Sequence, residues 1–183
     1  MEARDYLDLY LAPEQPGGPS RAEVLETAAL AMPLEERRRA TFLLTAALCR
    51  QGRQEYDDAR RCHELAIAVG GTGVADGLAG LFELGLRTGD EAATDAAASE
   101  LRELAKQRRL PPSVCFEMAT AYEVHDQLHE ALRWYSIPLS RIDPTDGDNL
   151  DYDCLSGRYE LRRQLELPQD RYDDAALEAM DRL

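Results

Sequence analysis

Two histidines four residues apart are the first residues in this chain of 183 whose spacing could support chemistry. On a single helix, His125 and His129 would face the same side and could bind a metal ion together. Here the helical pattern breaks between them, after His125 and before Leu128, and no His-Glu-x-x-His sequence accompanies them. Because the two imidazoles then belong to different helices, we predict no metal site at this position.

Five aspartates follow at short intervals, in a segment that looks like a calcium-binding loop: Asp143, Asp146, Asp148, Asp151 and Asp153. An EF-hand loop requires a glycine at its sixth position and a glutamate at its twelfth. With Gly147 at the sixth position, Asp153 takes the twelfth and Ile142 the first. The loop pattern therefore fails. We interpret the segment as a solvated acidic linker, and weak cation binding there stays open.

The other reactive residue types also lack the neighbours that catalysis or cofactor binding requires. The four cysteines, at positions 49, 62, 115 and 154, form no C-x-x-C pair, so we expect small buried side chains in a reducing compartment. The run Gly70–Gly73 follows a predicted helix rather than a strand and lacks the Gly-Lys-Ser/Thr of a phosphate-binding loop. We therefore expect no enzyme activity, no metal and no cofactor.

The charge of the chain limits the classes of partner. It has 21 Lys and Arg against 35 Asp and Glu, a net charge of −14. Such a surface repels nucleic acid and anionic membranes, since binding to either depends on basic residues. A basic protein or peptide is the compatible partner, and solubility alone is the competing explanation. The residues from 143 onward hold half of the net charge, with 12 acidic and 5 basic side chains.

The elements that position these residues are predicted to be helices throughout. Alanine and leucine are abundant, β-branched residues are sparse and strand-like alternation is hard to find, which together favour an all-α fold. Gly52, Gly89 and Asp126 each end a similar apolar helix, at a constant spacing of 37 residues. This spacing predicts three helix pairs, whose first helices cover residues 34–50, 75–88 and 113–125.

This pattern divides the chain into three parts. Residues 1–33 hold N-terminal helices and a Pro/Gly-rich loop, residues 34–144 hold the three hairpins, and residues 145–183 hold a capping helix and an acidic tail. The charged N-terminus carries no signal peptide pattern, and no apolar run reaches 18 residues, so we expect a cytoplasmic protein. The composition, rich in arginine and alanine with a single lysine, indicates a bacterial source.

The third hairpin carries Met118-Ala119 and Tyr122 on its first helix and Ala131 and Tyr135 on its second, and with these residues it resembles a tetratricopeptide (TPR) repeat. In this family a Leu-Gly pair and a tyrosine on the first helix accompany an A-x3-F pattern on the second. Met118-Ala119 and Tyr122 take the first set of positions, and Ala131 and Tyr135 take the second. The resemblance implies an all-α, right-handed superhelical array of antiparallel helix hairpins, a TPR-like α-solenoid, in which stacked repeats complete one another's core.

The other two hairpins depart from the family pattern at particular positions. The first has Ala59 and His63 on its second helix, with a turn two residues longer than the family norm. The second has Phe82 where a small residue belongs and Gly85 at the tyrosine position. The C-terminal third is also similar to actinobacterial TPR proteins that often carry a Cys-rich SEC-C metal motif. That motif is missing from this sequence, so the likeness implies no zinc.

In TPR proteins the first helix of each pair lines a concave groove, and the resemblance implies a ligand site there. Nine residues take these positions: Arg39, Phe42 and Arg50 from the first hairpin, Asp76, Glu83 and Arg87 from the second, and Phe116, Thr120 and Glu123 from the third. The set lacks the Lys and Asn residues with which chaperone-type TPR domains hold a terminal carboxylate. An extended segment with basic and apolar side chains fits these positions better.

The sequence therefore predicts a protein- or peptide-binding adaptor that holds an extended ligand in the groove. The alternative is a homo-oligomerising module without a separate ligand, which would associate through a repeat face or through an N-terminal helix with one apolar side: Tyr6, Leu7, Tyr10 and Leu11. The missing motifs disfavour an enzyme or a metal-binding protein.

Overall fold

The computed structural model describes residues 18–182, in which all regular structure is helical. Nine α-helices follow one another in this range, with one 3-10 turn at Gly147–Asn149 and no strand. The helices are α1 (Arg21–Leu30), α2 (Arg37–Gly52), α3 (Tyr56–Val69), α4 (Gly73–Thr88), α5 (Glu91–Lys106), α6 (Pro112–Val124), α7 (Leu128–Leu139), α8 (Tyr152–Gln164) and α9 (Arg171–Met180). The prediction of an all-α fold is confirmed. The predicted helix that contains Tyr6 and Tyr10 lies outside the described residues.

The chain forms two compact units that divide within α5, after Leu101. In the N-terminal unit, α1 packs on α2, α2 on α3 and α3 on α4, while α2 and α4 also touch. In the C-terminal unit, α6 packs on α7, α7 on α8 and α9 on α8, while α6 and α8 also touch. Helices that are neighbours in sequence thus pack on one another, which is the contact pattern of helical-repeat proteins.

Five helices end in the same way, with one residue in the left-handed backbone conformation. These residues, with φ angles between 52° and 73°, are Gln54, Gly89, Arg108, Asp126 and Glu166. In each case the next residue donates its backbone N–H to the carbonyl five positions earlier, at 2.9–3.0 Å. The bond satisfies a carbonyl that the helix end would otherwise leave without a partner. Four of these positions are not glycine, and there the left-handed backbone costs about 1–2 kcal/mol.

Helix α4 approaches its neighbours closely because it has glycine where the helices meet. A Cβ at Gly73 would lie 2.7 Å from the Ala66 carbonyl oxygen of α3, and a Cβ at Gly77 would lie 2.6 Å from Ile67 Cγ1. At Gly85, where the repeat pattern expects a tyrosine, a Cβ would lie 2.4 Å from Thr94 Oγ1 of α5. The missing side chain is therefore replaced by the approach of α5 to the backbone of α4.

The first described helix is joined to its neighbours by a buried carboxylate. Glu26 of α1 is 6% exposed and accepts a hydrogen bond from Arg50 of α2 at 2.7 Å, while its other oxygen accepts from Arg61 of α3. Burial raises the pKa of Glu26, but the hydrogen bonds from Arg61 and Arg50 outweigh burial, and the pKa lies below its ordinary value. Loss of either arginine would leave a buried charge incompletely paired, which is strongly destabilising.

The last helix is attached in a similar way. Asp173 of α9 is 3% exposed and accepts from Arg158 at 3.1 Å and from Arg162 at 3.0 Å, both on α8. Tyr172 donates its hydroxyl to the Leu139 carbonyl at 3.0 Å, at the end of α7. Helix α7 ends there, one residue after its internal Pro138. A proline in a helix interior removes a hydrogen bond and clashes with the preceding turn, which accords with a helix end at this point.

Candidate binding surface on the first helices of the hairpins

The first hairpin (α2 and α3) and the third (α6 and α7) align residue for residue. Their left-handed residues Gln54 and Asp126 lie 72 positions apart, as do the fully buried alanines Ala59 and Ala131. Two repeats of 37 residues would place them 74 apart. The difference arises in the first hairpin, where α2 continues to Gly52 and the left-handed residue follows two positions later.

This alignment corrects the predicted site residues on α2. A shift of two residues rotates a side chain by about 200° around the helix axis. Phe42 is fully buried in the core of the N-terminal unit, and Arg50 is 7% exposed and pairs with Glu26. Arg39 is half-buried and donates from Nη1 to the Met32 carbonyl at 3.0 Å. Phe42 and Arg50 therefore present almost no surface to a ligand, because both face neighbouring helices.

Different residues of α2 face solvent, and sequence reasoning missed them. Leu48 is 58% exposed, Thr41 is exposed, and Leu44 is partly buried against the core. In the corrected alignment Leu44 is equivalent to Phe116, and Leu48 is equivalent to Thr120. The connection between α2 and α3, two residues longer than the family norm, is the signal that could have identified them. It shifts the equivalent positions on α2 by two residues from those that a constant 37-residue spacing gives.

The three predicted residues of α4 lie on one partly exposed stripe of that helix. Arg87 is exposed and donates from Nη2 to Glu83 Oε1 at 2.5 Å. Asp76 is only partly exposed, and burial raises its pKa. Gly80 lies on the same stripe, one turn after Asp76, and carries no side chain.

Helices α2 and α4 touch each other, and each carries a stripe of exposed and partly exposed side chains. The two helices meet where Gly73 approaches Ala40, since a Cβ at Gly73 would lie 2.8 Å from Ala40 Cβ. Both helices also pack on α3, and the stripe of α4 borders α3 at Gly80, where the ring of His63 lies. We call this surface the α2–α4 face and define it by six residues: Thr41, Leu44, Leu48, Asp76, Glu83 and Arg87. It combines apolar side chains from one helix with charged side chains from the other.

The predicted residues of α6 lie together around one tyrosine of α7. The ring centroids of Phe116 and Tyr135 lie 5.9 Å apart, and the Tyr135 hydroxyl donates to Glu123 Oε2 at 2.5 Å. Burial, with the hydrogen bond to Glu123, raises the pKa of Tyr135 to about 12. Thr120 is exposed and donates to the Phe116 carbonyl at 3.0 Å. Glu123 is thus already engaged by the hairpin itself.

In both aligned hairpins a ring of the second helix lies on a glycine of the following helix. A Cβ at Gly80 would lie 2.0 Å from His63 Cε1, and a Cβ at Gly157 would lie 2.6 Å from Tyr135 Cε1. His63 and Tyr135 are equivalent positions, 72 residues apart. The residue of α4 that faces the preceding ring is therefore Gly80, whereas Phe82, which the sequence pattern placed at the small position, is fully buried elsewhere on the helix.

The polar atoms of the His63 ring are poorly satisfied. Its Nε2 lies 3.4 Å from Gln51 Nε2, and its Nδ1 is buried with no hydrogen-bond partner in the described residues. Burial lowers the pKa of His63 to about 4, so the imidazole is neutral at pH 7. A neutral ring of this kind serves packing, and protonation would place an unpaired charge in the core.

Elsewhere the surface offers two further depressions. A cleft of about 550 Å3 lies between the turns after α2 and α4, where Arg60 and Asp90 pair at 3.1 Å. A second, of about 630 Å3, runs along α7 and includes His129 and Arg133.

Burial raises the pKa of Cys62 to about 11, so this thiol is protonated at neutral pH. Residues 18–182 contain no group of three or more His, Cys, Asp and Glu side chains arranged to hold a metal ion.

No helix among the described residues has the length and apolar character needed to cross a membrane. The chain matches no protein-family model, no curated protein and no solved structure.

Proposed function

We propose that this chain is a TPR-like peptide-binding module, an adaptor that holds an extended segment of a partner protein on the α2–α4 face. The observation that carries the proposal is Leu48, which is 58% exposed in the middle of a well-packed helix. Transfer of a leucine side chain from water to a binding partner is worth about 1.5–3 kcal/mol when burial is complete. An exposed leucine on one helix and charged side chains on a helix that touches it therefore favour a ligand with both apolar and charged side chains.

The proposed module has the overall architecture that the TPR resemblance implies. In it, the hairpins continue one another as a right-handed α-solenoid, and their first helices line its concave side. The exposed residues of α6, Thr120 and the edge of Phe116, then occupy the same repeat positions as Leu48 and Leu44. This recurrence of position supports a surface that is used in more than one repeat.

The proposed role is binding without catalysis, metal or cofactor. Its support is the kind of chemistry that the α2–α4 face offers. Glu83 and Arg87 pair with each other, and Thr41, Leu44 and Leu48 bring no acid, base or activated nucleophile, so Asp76 is a lone carboxylate on this face with no second catalytic group among the six residues that define it. A net charge of −14 makes a basic or neutral segment the compatible partner and disfavours nucleic acid and anionic membranes.

The test compares two leucines that are about equally exposed. Leu48→Ser changes the α2–α4 face, whereas Leu34→Ser changes the connection between α1 and α2, where the leucine is 53% exposed. Peptides selected from an array of synthetic extended sequences would be titrated against both variants by fluorescence anisotropy. We expect Leu48→Ser to weaken binding about tenfold, equivalent to about 1.4 kcal/mol, and Leu34→Ser to leave it unchanged.

Equal binding by the two variants would contradict the proposal, as would a failure of every peptide to bind. Light scattering of the same samples distinguishes peptide binding from self-association through this face. If the unaltered chain is a dimer and Leu48→Ser makes it monomeric, the face is a self-association surface rather than a peptide site.

A further inference from the structure

Among the buried and partly exposed carboxylates of residues 18–182, Asp76 differs from the others in its lack of a partner. Each of the other carboxylates that is buried or partly exposed has a hydrogen-bond donor or a cationic partner. Examples are Glu26 with Arg50, Asp90 with Arg60, and Glu123 with Tyr135. The remaining carboxylates without a partner are exposed. Asp76 alone is partly exposed while no described side chain or backbone N–H donates to its carboxylate.

Among the described residues no arginine or lysine pairs with Asp76. Arg87 pairs with Glu83, Arg60 pairs with Asp90, and Arg39 donates to the Met32 carbonyl. The positive end of the helix dipole offsets part of the cost, since Asp76 lies in the first turn of α4. Burial nevertheless disfavours the charged form, and it raises the pKa of this carboxyl group. An ionised Asp76 at neutral pH is therefore a net cost to folding.

Asp76 is partly exposed, so a ligand can reach it from solvent. One turn later, at Gly80, the ring of His63 from α3 occupies the space beside the helix. Leu44 and Leu48, on the neighbouring helix α2, supply the apolar side chains of the α2–α4 face. The result is a single anionic group in a partly apolar setting, where a charge-assisted hydrogen bond is stronger than in water.

We propose, on the premise of the proposed function, that Asp76 is the specificity-determining anchor of the α2–α4 face and takes an arginine or lysine side chain of the bound segment. The occupant is thus an extended segment that alternates basic and apolar residues, with its apolar side chains on Leu44 and Leu48. A metal ion is disfavoured as the occupant, because hard cations require several oxygen ligands and only one carboxylate is free here. Residues 18–182 hold no cluster of three or more potential ligands that would supply them.

A carboxylate retained for binding behaves differently on substitution from one that only stabilises the fold. If Asp76 is retained for binding at the expense of stability, Asp76→Asn raises the melting temperature at pH 7 while it weakens binding of a cationic ligand. A carboxylate that stabilises the fold would behave in the opposite way, and its substitution would lower the melting temperature. The matched control is Asp95→Asn, which removes the same charge from an exposed position on α5.

The experiment uses two labelled peptides of alternating leucine with either arginine or its neutral isostere citrulline, titrated against the full chain. We expect the arginine peptide to bind about tenfold more tightly than the citrulline peptide. Asp76→Asn should remove most of that preference, whereas Asp95→Asn should keep it, since both variants change the net charge equally.

Each outcome of the experiment decides a different point. If both peptides bind the unaltered chain equally, the binding function stands and the role of Asp76 is overturned. Preference for arginine that survives in Asp76→Asn also overturns it, and so does a lower melting temperature of that variant. If neither peptide binds, the proposed function fails together with this inference.

Discussion

The first and third hairpins use the same packing contact with different chemistry. In the first, His63 lies on Gly80 of α4; in the third, Tyr135 lies on Gly157 of α8. Each ring points its polar group toward the first helix of its own hairpin, at a position 12 residues earlier. That position is Glu123 for Tyr135, with a hydrogen bond of 2.5 Å, and Gln51 for His63, with a contact of 3.4 Å.

This comparison shows that the helix spacing and the pH dependence of stability have different origins in the two hairpins. A ring on a glycine is enough to set the distance between helices, and either ring type does so. The polar group of the ring determines how each hairpin responds to pH. The Tyr135 hydroxyl has a partner, and its pKa is raised to about 12, whereas the His63 ring is buried with one nitrogen that forms no hydrogen bond within residues 18–182.

The largest expected effect tests the shared contact itself. In Gly80→Ala the new Cβ would lie 2.0 Å from a buried imidazole that has no room to move, so we expect a loss of about 3 kcal/mol. Gly157→Ala should cost less, since its closest contact is 2.6 Å. Urea unfolding of each variant measures these losses. Gly52→Ala is the control, because nothing lies within 4 Å of a Cβ there.

A double substitution tests whether the His63 ring causes the loss of stability in Gly80→Ala. If the imidazole is the obstacle, His63→Ala should recover much of the stability lost in Gly80→Ala, so that the two changes are not additive. Additive losses would mean that the clash lies in the backbone and that the comparison of the two rings is mistaken.

The second prediction concerns pH and separates the two hairpins. Unfolded His63 binds a proton below about pH 6.5, whereas the folded chain does so only below about 4. Between these values the unfolded state binds more protons, so stability falls as the pH falls. From pH 6.5 to 5 we expect a loss of roughly 1.5 kcal/mol, measured by urea unfolding at each pH. Glu26 does not contribute in this interval, because its lowered pKa places its effect at more acidic pH.

Substitution of the histidine identifies the source of this slope. His63→Gln should make stability nearly constant between pH 6.5 and 5, and His125→Gln, which changes an exposed residue, should leave the slope as it was. A slope that persists in His63→Gln would assign the pH dependence to another group.

The third prediction addresses the polar end of Tyr135. Tyr135→Phe keeps the ring on Gly157 but removes the hydrogen bond to Glu123, and we expect a loss of about 1 kcal/mol. Because the hydroxyl has no role between pH 5 and 6.5, the pH slope should not change. Thermal unfolding at several pH values checks both statements, and a changed slope would contradict the separation of the two hairpins.

The smallest effect tests the helix ends that set the alignment. Gln54 and Asp126 adopt equivalent left-handed conformations, which glycine tolerates without strain and Asp tolerates better than Gln. Gln54→Gly should therefore stabilise the chain by about 0.5–1 kcal/mol, and Asp126→Gly by less. Differential scanning calorimetry would detect the order. A destabilising Gln54→Gly would show that this side chain contributes contacts that outweigh its backbone strain.

The fold class could be predicted from sequence because helical periodicity and turn residues are local signals. Gly89 and Asp126 were read correctly as helix ends, and both are left-handed in the structure. Gly52 misled the prediction, since a glycine near a helix end suggests a terminus even when its backbone is ordinary. The true left-handed residue is Gln54, and the resulting two-residue error placed buried Phe42 in the groove and left Leu48 out.

The candidate site could be predicted only in part, for a different reason. That Asp76 lies near the surface of a helix follows from the pattern of apolar residues around it. That no residue in the described part of the chain pairs with Asp76 does not, because this depends on where the arginines of the other helices lie and what they already bind. Pairing in three dimensions is a property of packing, and a single sequence does not display it.

The carboxylate of Glu26 determines where this protein can be shortened. A fragment that begins at α2 would keep Arg50 and Arg61 but lose the anion they share, and it would expose the core to which Leu25 belongs. The first hairpin is thus not an independent unit of assembly, although it aligns with the third without gaps. Any attempt to transplant it into another repeat array would have to carry α1 with it, as an integral part of its fold.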